Sequence, residues 1–199
     1  MHYFVTAIGT DSGKTLVAAI LCEALKADYW KPIQSGRPRD TDTVKSLISN
    51  DQTKCWPEAY LLNTPASPHA SAKIDNVTID LNQISMPKAD RLIIEGAGGC
   101  LVPINDHDFV IDIAKKLDIE IILVSNLYLG SINHTLLTSE YLKQHHFKVK
   151  GIIFNGESNP ESERIILHHT GYPLLLSIQQ EKMVDKEVVK KYAQQIDLS

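Results

Sequence analysis

Cysteine is sparse in this chain, and Cys22, Cys55 and Cys100 lie far apart. Their number is odd and no C-x-x-C spacing occurs, so neither a disulfide framework nor a zinc site is indicated. No apolar run approaches the roughly 20 residues of a membrane span. No basic leader with an apolar core opens the sequence, so a secretory signal is not expected and the cytoplasm is the expected location. A net charge of −4 without blocks of like charge gives no reason to expect nucleic acid or an anionic membrane as partner. Arginine is confined to Arg37, Arg39, Arg91 and Arg164. None is grouped as a mobile lid closing on a transferred phosphoryl group would require, which argues against a small-molecule kinase. With no repeat, linker or low-complexity tract, residues 1–199 are expected to form one domain.

What the sequence does contain is concentrated in Gly9-Thr10-Asp11-Ser12-Gly13-Lys14-Thr15. An apolar run, Tyr3 to Ile8, precedes it and a helix-like run from Leu16 follows it. Strand, glycine-containing turn, Gly-Lys-Thr and helix form the plan of a phosphate-binding loop. Such a turn aims backbone N–H groups inward, and the helix N-terminus adds its positive dipole end. Lys14 would reach the β- and γ-phosphates and the Thr15 hydroxyl would ligate Mg²⁺. The usual pattern has glycine five residues before Gly13, where this chain has Ile8.

Short apolar runs alternate with helical periodicity along the rest of the chain. Strands are expected at 3–8, in a short run ending near Trp30-Lys31, and at 91–95, 120–125, 151–155 and 173–178. Helices are expected at 14–26, 42–49, 109–117, 132–145, 160–169 and 185–194. Runs such as Ile121-Ile122-Leu123-Val124 are apolar throughout, as strands buried on both faces of a parallel sheet must be. The fold class is therefore α/β: a doubly wound, mostly parallel sheet flanked by helices, of the P-loop type. The proline-containing stretch 54–87 reads as loops with room for a short helix.

In such sheets ligands bind beyond the carboxyl ends of the strands. Glu95 closes an apolar strand and is followed by Gly96-Ala97-Gly98-Gly99, a position from which a carboxylate can hold Mg²⁺ opposite Thr15. Asp42, in Asp40-Thr41-Asp42-Thr43, is read as a second carboxylate for the metal; Asp40 or Thr41 could equally cap that helix. Lys31 ends a strand before a proline and offers a cation for charge on a transferred phosphoryl group. Lys14 and Lys31 are both expected at exposed strand ends. Asn155 could read an adenine edge, and His69 sits in a proline-stiffened loop that could approach a ligand.

Together these blocks resemble the dethiobiotin synthetase family. The resemblance runs from Tyr3 to about Ile178 and is carried by Phe4-Val5-Thr6, Gly13-Lys14-Thr15, Lys31-Pro32 with Ser35-Gly36, Asp42, and Ser67-Pro68-His69. Glu95-Gly96-Ala97-Gly98-Gly99, Leu129-Gly130-Ser131-Ile132-Asn133-His134 and Asn155 complete it. It implies an ATP- and Mg²⁺-dependent carboxylation of 7,8-diaminononanoate with CO₂ and ring closure, through a carbamate and a carbamic-phosphoric anhydride. It implies nucleotide contacts from Asp11, Ser12, Gly13, Lys14, Thr15, Leu16, Asp42, Glu95 and Asn155, with Thr15, Asp42 and Glu95 at the metal. Lys31 and Lys14 take the catalytic roles, and Ser35, Gly98, Gly99, Leu129, Gly130 and Asn133 take substrate contacts. The segment containing Leu129 reaches the neighbouring subunit's substrate in the family, implying a homodimer with shared sites. This chain departs from the family in having Ala7 where a loop glycine is common, Gln179 in place of a proline, and Tyr128 in place of a lysine. The alternatives are a regulatory P-loop ATPase of the partition or septum-positioning kind, whose early loop lysine is absent here, and a non-enzymatic nucleotide-binding scaffold.

Overall fold

A computed structural model describes residues 1–196 and 198. Six strands form a parallel sheet: β1 (His2–Ala7), β2 (Asp28–Trp30), β5 (Leu92–Glu95), β6 (Glu120–Asn126), β7 (Val149–Asn155) and β8 (Leu174–Ile178), in the order β2-β5-β1-β6-β7-β8. Two further strands, β3 (Ile33–Ser35) and β4 (Tyr60–Leu62), pair only with each other. The helices are α1 (Lys14–Leu25), α2 (Asp40–Leu47), α3 (Pro68–Ile74), α4 (Asp112–Leu117), α5 (Ser131–Gln144), α6 (Pro160–Thr170) and α7 (Lys186–Ala193).

The alternation of side chains along each strand sorts the core into two layers. Tyr3, Val5, Ala7, Tyr29, Ile93, Ile122 and Val124 face α1, α2 and α7, against Val17, Ile20, Leu21, Val44 and Val189. Phe4, Trp30, Leu92, Ile94, Ile121, Leu123 and Phe154 face the other side, against Ile113, Leu142 and Ile166. Each fully buried large apolar side chain contributes about 1.5–3 kcal/mol of transfer free energy, so both layers are needed to hold the sheet.

The core also explains where the helices fall. α1 carries Val17-Ala18-Ala19-Ile20-Leu21-Cys22 with no solvent exposure at all, because it is covered by the sheet on one side and by α2 and α7 on the other. α6 starts at Pro160 with the Asn159 side chain accepting from the Ser162 N–H, and α7 starts with Asp185 accepting from the N–H groups of Glu187 and Val188. Among the described residues no helix is long and apolar enough to cross a membrane.

The chain leaves β1 toward β2 on one side and later adds β6 on the other, which places the crevice of the doubly wound sheet at the carboxyl end of β1. Ala7 is the last residue of β1, with ordinary strand backbone, so the methyl group in place of a loop glycine is accommodated before the turn begins.

Candidate functional site

The loop between β1 and α1 is pinned from inside and from β7. Ser12 Oγ donates to the Gly9 carbonyl at 3.1 Å, and Lys14 Nζ donates to the same carbonyl at 3.2 Å. Asn155 Nδ2, at the end of β7, donates to the Ser12 carbonyl at 3.0 Å. Gly13 has φ +94°, and a Cβ built there would overlap the Asn155 amide nitrogen. The turn therefore requires glycine for both its backbone conformation and its closeness to Asn155.

β5 delivers Glu95 next to this loop. Glu95 is 1% exposed, yet three donors satisfy it. Thr15 Oγ1 donates to Oε1 at 2.9 Å, Lys31 Nζ to Oε1 at 3.0 Å, and the Tyr29 hydroxyl to Oε2 at 2.8 Å. Lys31 also pairs with Asp40 at the start of α2. Burial alone would lower the Lys31 pKa, but the charges of Glu95 and Asp40 outweigh it and hold the amine above its ordinary value. Lys14 behaves oppositely: burial pushes its amine down to about 8, with Glu95 pulling partly back and Lys31 adding repulsion.

Two cavities meet at these charges. One, about 320 Å³, is lined by Thr10, Asp11, Gly13, Lys14, Thr15, Lys31, Asp40, Glu95 and Gly98. The other, about 470 Å³, shares Thr10, Lys31, Asp40 and Gly98 and adds Gln34, Ser35, Pro38, Pro65, Ala66, Ser67, Pro68, Ala97 and Val102. Ser35 Oγ is buried without a hydrogen-bond partner among the described residues. A polar atom left unpaired in a cavity wall is an invitation to a polar ligand.

Three residues lie elsewhere than the sequence led one to expect. Asp42 does not reach the site: its carboxylate is bound by Arg39 Nε at 2.9 Å and Nη2 at 2.7 Å on the exposed side of α2. The helix starts two residues earlier than expected, at Asp40, and residues two apart on a helix point away from each other, so Asp40 takes the inward place. Neither Lys31 nor Lys14 is at an exposed strand end, since they are 4% and 7% exposed.

A protein-family model described as an AAA domain matches residues 1–188. The ATP-dependent dethiobiotin synthetase BioD of Cytophaga hutchinsonii is 56% identical over 194 residues, which are 96% of this chain and 94% of that protein. The protein of the same description from Christiangramia forsetii is 47% identical over 195 residues, 96% and 94% of the two chains. This chain belongs to the dethiobiotin synthetase family. Its fold is shared with more distant proteins: a ParA family ATPase from Chlorobium tepidum (TM-score 0.64, 13% identity, 97% of both chains) and the septum site-determining protein MinD complexed with Mg-ADP from Pyrococcus horikoshii (TM-score 0.59, 15% identity, 97% and 95%). At that identity the likeness extends to the fold alone.

The remaining residues that the dethiobiotin synthetase resemblance singled out are dispersed. Gly98 lines both cavities, whereas a Cβ built on Gly99 would sit 3.4 Å from the Ala7 carbonyl, so Gly99 packs on the loop instead of facing the space. Leu129 and Gly130 line a separate cavity of about 440 Å³ with Tyr128, Ile132, Glu157 and Asn159, and Asn133 is exposed at the start of α5. The Tyr128 hydroxyl is bonded to His134 Nδ1. His69 is exposed, with Nδ1 3.2 Å from Ser67 Oγ, and only its neighbours Ser67 and Pro68 reach the cavity wall. Asp40, Tyr29 and Gln34, whose Oε1 accepts from the Asp40 N–H at 3.0 Å, were not singled out from the sequence. The spacing of Tyr29 and Lys31, two apart at a strand end and hence on one face, was the available signal for Tyr29.

Proposed function

We propose that the chain is an ATP-dependent dethiobiotin synthetase, converting 7,8-diaminononanoate, CO₂ and ATP to dethiobiotin, ADP and phosphate. The observation that carries this reading is the Lys31–Glu95–Asp40 cluster standing where the phosphate-loop cavity opens into the second cavity. A nucleotide tail in the first and a diamine in the second would meet at Lys31.

The backbone of Asp11, Ser12, Gly13, Lys14, Thr15 and Leu16 would cradle the phosphates at the N-terminus of α1, with the Lys14 ammonium over them. Asn155 keeps one amide proton on the loop and would offer the rest of its amide to the adenine. Mg²⁺ fits the donor set: the Thr15 hydroxyl, Glu95 and Asp40 are hard oxygen donors grouped around one cavity, as suits an ion that keeps most of its remaining ligands as phosphate oxygens and water. When bound it would offset the charge of the β- and γ-phosphates. Asp40 replaces Asp42 in this set.

Ser35 Oγ, together with the backbone at Gly98, would hold the diamine as its carbamate. The carbamate oxygen then attacks the γ-phosphorus and ADP leaves. The second amine attacks the carbonyl of the resulting mixed anhydride and phosphate leaves, closing the ring. Lys31 acts here by its charge. An amine held above its ordinary pKa stays protonated and cannot serve as a base, so it would stabilise the equatorial oxygens of the transferred group. The work of the site is positioning and charge neutralisation.

Tyr128, Leu129, Ile132 and Leu137 are exposed along one stretch, Leu129 fully so, away from both cavities. That arrangement supports a homodimer in which this stretch completes the partner's substrate site. The reading places the protein in the cytoplasm as one domain. Its test is direct: purified protein with ATP, Mg²⁺, bicarbonate and diaminononanoate should yield dethiobiotin and stoichiometric ADP by mass spectrometry. ATP hydrolysis indifferent to the diamine, with no dethiobiotin, would overturn it.

A further inference from the structure

Tyr29 is wholly buried among the α1-facing layer of the core, yet its hydroxyl is spent on Glu95 Oε2 at 2.8 Å. Register explains how it gets there. β2 and β5 run parallel with Tyr29 opposite Ile93 and Trp30 opposite Ile94, so the next step along both strands sets Lys31 beside Glu95. Side chains two apart on a strand share a face. Lys31 therefore meets Glu95 directly, while Tyr29 meets it diagonally from deeper in the sheet.

The two carboxylate oxygens are thereby divided between two environments. Oε1 takes Thr15 and Lys31 at the cavity, and Oε2 takes Tyr29 in the core. The terminal torsion of a glutamate is soft and does not by itself fix the plane of the carboxylate. A donor on one oxygen does fix it, and it also removes the cost of leaving Oε2 unpaired in an apolar layer. Burial and then the Glu95 charge push the Tyr29 phenol well above its ordinary pKa, so it remains a donor across the working pH range.

We propose that Tyr29 is a positioning residue: its hydroxyl holds the Glu95 carboxylate plane so that Oε1 is presented to Thr15, Lys31 and the metal. This rests on the reading of Glu95 as part of the Mg²⁺ site. Groups that hydrogen-bond a ligating carboxylate set its orientation, and losing one typically weakens metal affinity about tenfold or more.

The test is ADP binding by calorimetry, with and without Mg²⁺, in the native protein, Tyr29→Phe, Glu95→Gln and the double variant. Tyr29→Phe keeps the ring and so the packing. It should leave Mg²⁺-free ADP affinity unchanged and raise the Mg²⁺ concentration needed for tight binding about tenfold. In the double variant Tyr29→Phe should add no loss to that of Glu95→Gln. Native Mg²⁺ dependence in Tyr29→Phe, with Glu95→Gln impaired, overturns the role of Tyr29 and leaves the metal site standing. Native Mg²⁺ dependence in both variants removes Glu95 from the metal site and the inference with it. Equal weakening with and without Mg²⁺ in Tyr29→Phe would show a purely structural residue and also overturn it.

Discussion

Lys31 Nζ lies 3.0 Å from Glu95 Oε1, and both side chains are almost wholly withdrawn from solvent. Lys31 directly follows β2 and Glu95 ends the adjacent parallel β5, so the same contact that builds the site also fastens the ends of these two strands. A buried pair of this kind is held by mutual satisfaction: each charge is affordable because the other, with Asp40, Thr15 and Tyr29, is in place.

Truncating Lys31 should thus cost stability as well as turnover. Lys31→Ala strands the Glu95 charge in the interior, and breaking a buried pair from one side costs about 3 kcal/mol or more. For a chain of this size that is a fall in melting temperature of roughly 6–12 °C. The double variant Lys31→Met with Glu95→Gln, which removes both charges, should regain most of the melting temperature while dethiobiotin formation stays abolished. Normal turnover in Lys31→Ala would remove Lys31 from the chemistry, and an unchanged melting point would show that the pair is not structurally coupled.

Nucleotide affinity should depend on pH through Lys14. Its amine is depressed to about 8 by burial in the free protein. Bound phosphate favours the ammonium and raises that pKa, so the complex holds a proton that the free protein has lost above pH 8. Affinity should be flat below about pH 7 and weaken as pH rises past 8, by at most about tenfold per unit for one linked proton. Calorimetry at about pH 8.5 in buffers of different ionisation heat should detect proton uptake on ADP binding. Lys14→Met should abolish the uptake, and its persistence there would assign the proton to another group.

The sheet was legible because its inner strands are buried on both faces and so are apolar without interruption, as in Ile121 to Val124 and Ile152 to Phe154. The α1 start was legible because Gly-Lys-Thr after a strand leaves few alternatives. β3 and β4 were not foreseen: each is three residues long, and Ile33-Gln34-Ser35 has neither alternation nor an apolar run. They are strands only because each finds the other across stretches the sequence shows as irregular. The choice between Asp40 and Asp42 was beyond the sequence for a related reason. Both are acidic residues at a helix start, and only the true first residue of α2 decides which one turns inward.

That choice is testable by a pair of isosteric changes. Asp40→Asn removes a carboxylate from the cavity and from Lys31 and should lower Mg²⁺-dependent turnover at least about tenfold. Asp42→Asn breaks an exposed pair with Arg39, which is screened by solvent, and should leave turnover near native and the melting point little changed. Steady-state rates over a Mg²⁺ titration distinguish them, and the reverse ranking would restore Asp42 to the metal site.

Gly13 sets the last expectation, because two separate obstacles meet at its missing Cβ. Its φ of +94° is strained for any side chain, and the Cβ would press on the Asn155 amide that anchors the Ser12 carbonyl. The backbone strain alone is worth about 1–3 kcal/mol, and about 1.4 kcal/mol is a factor of ten in binding. Gly13→Ala should therefore weaken ADP binding at least about fivefold. Combining it with Asn155→Gly clears the space but leaves the strained backbone and removes the anchor, so affinity should recover only in part. Full recovery in the double variant would mean that crowding, and not φ, is what requires glycine there. Native affinity in Gly13→Ala alone would mean that the loop does not hold this conformation when nucleotide is bound.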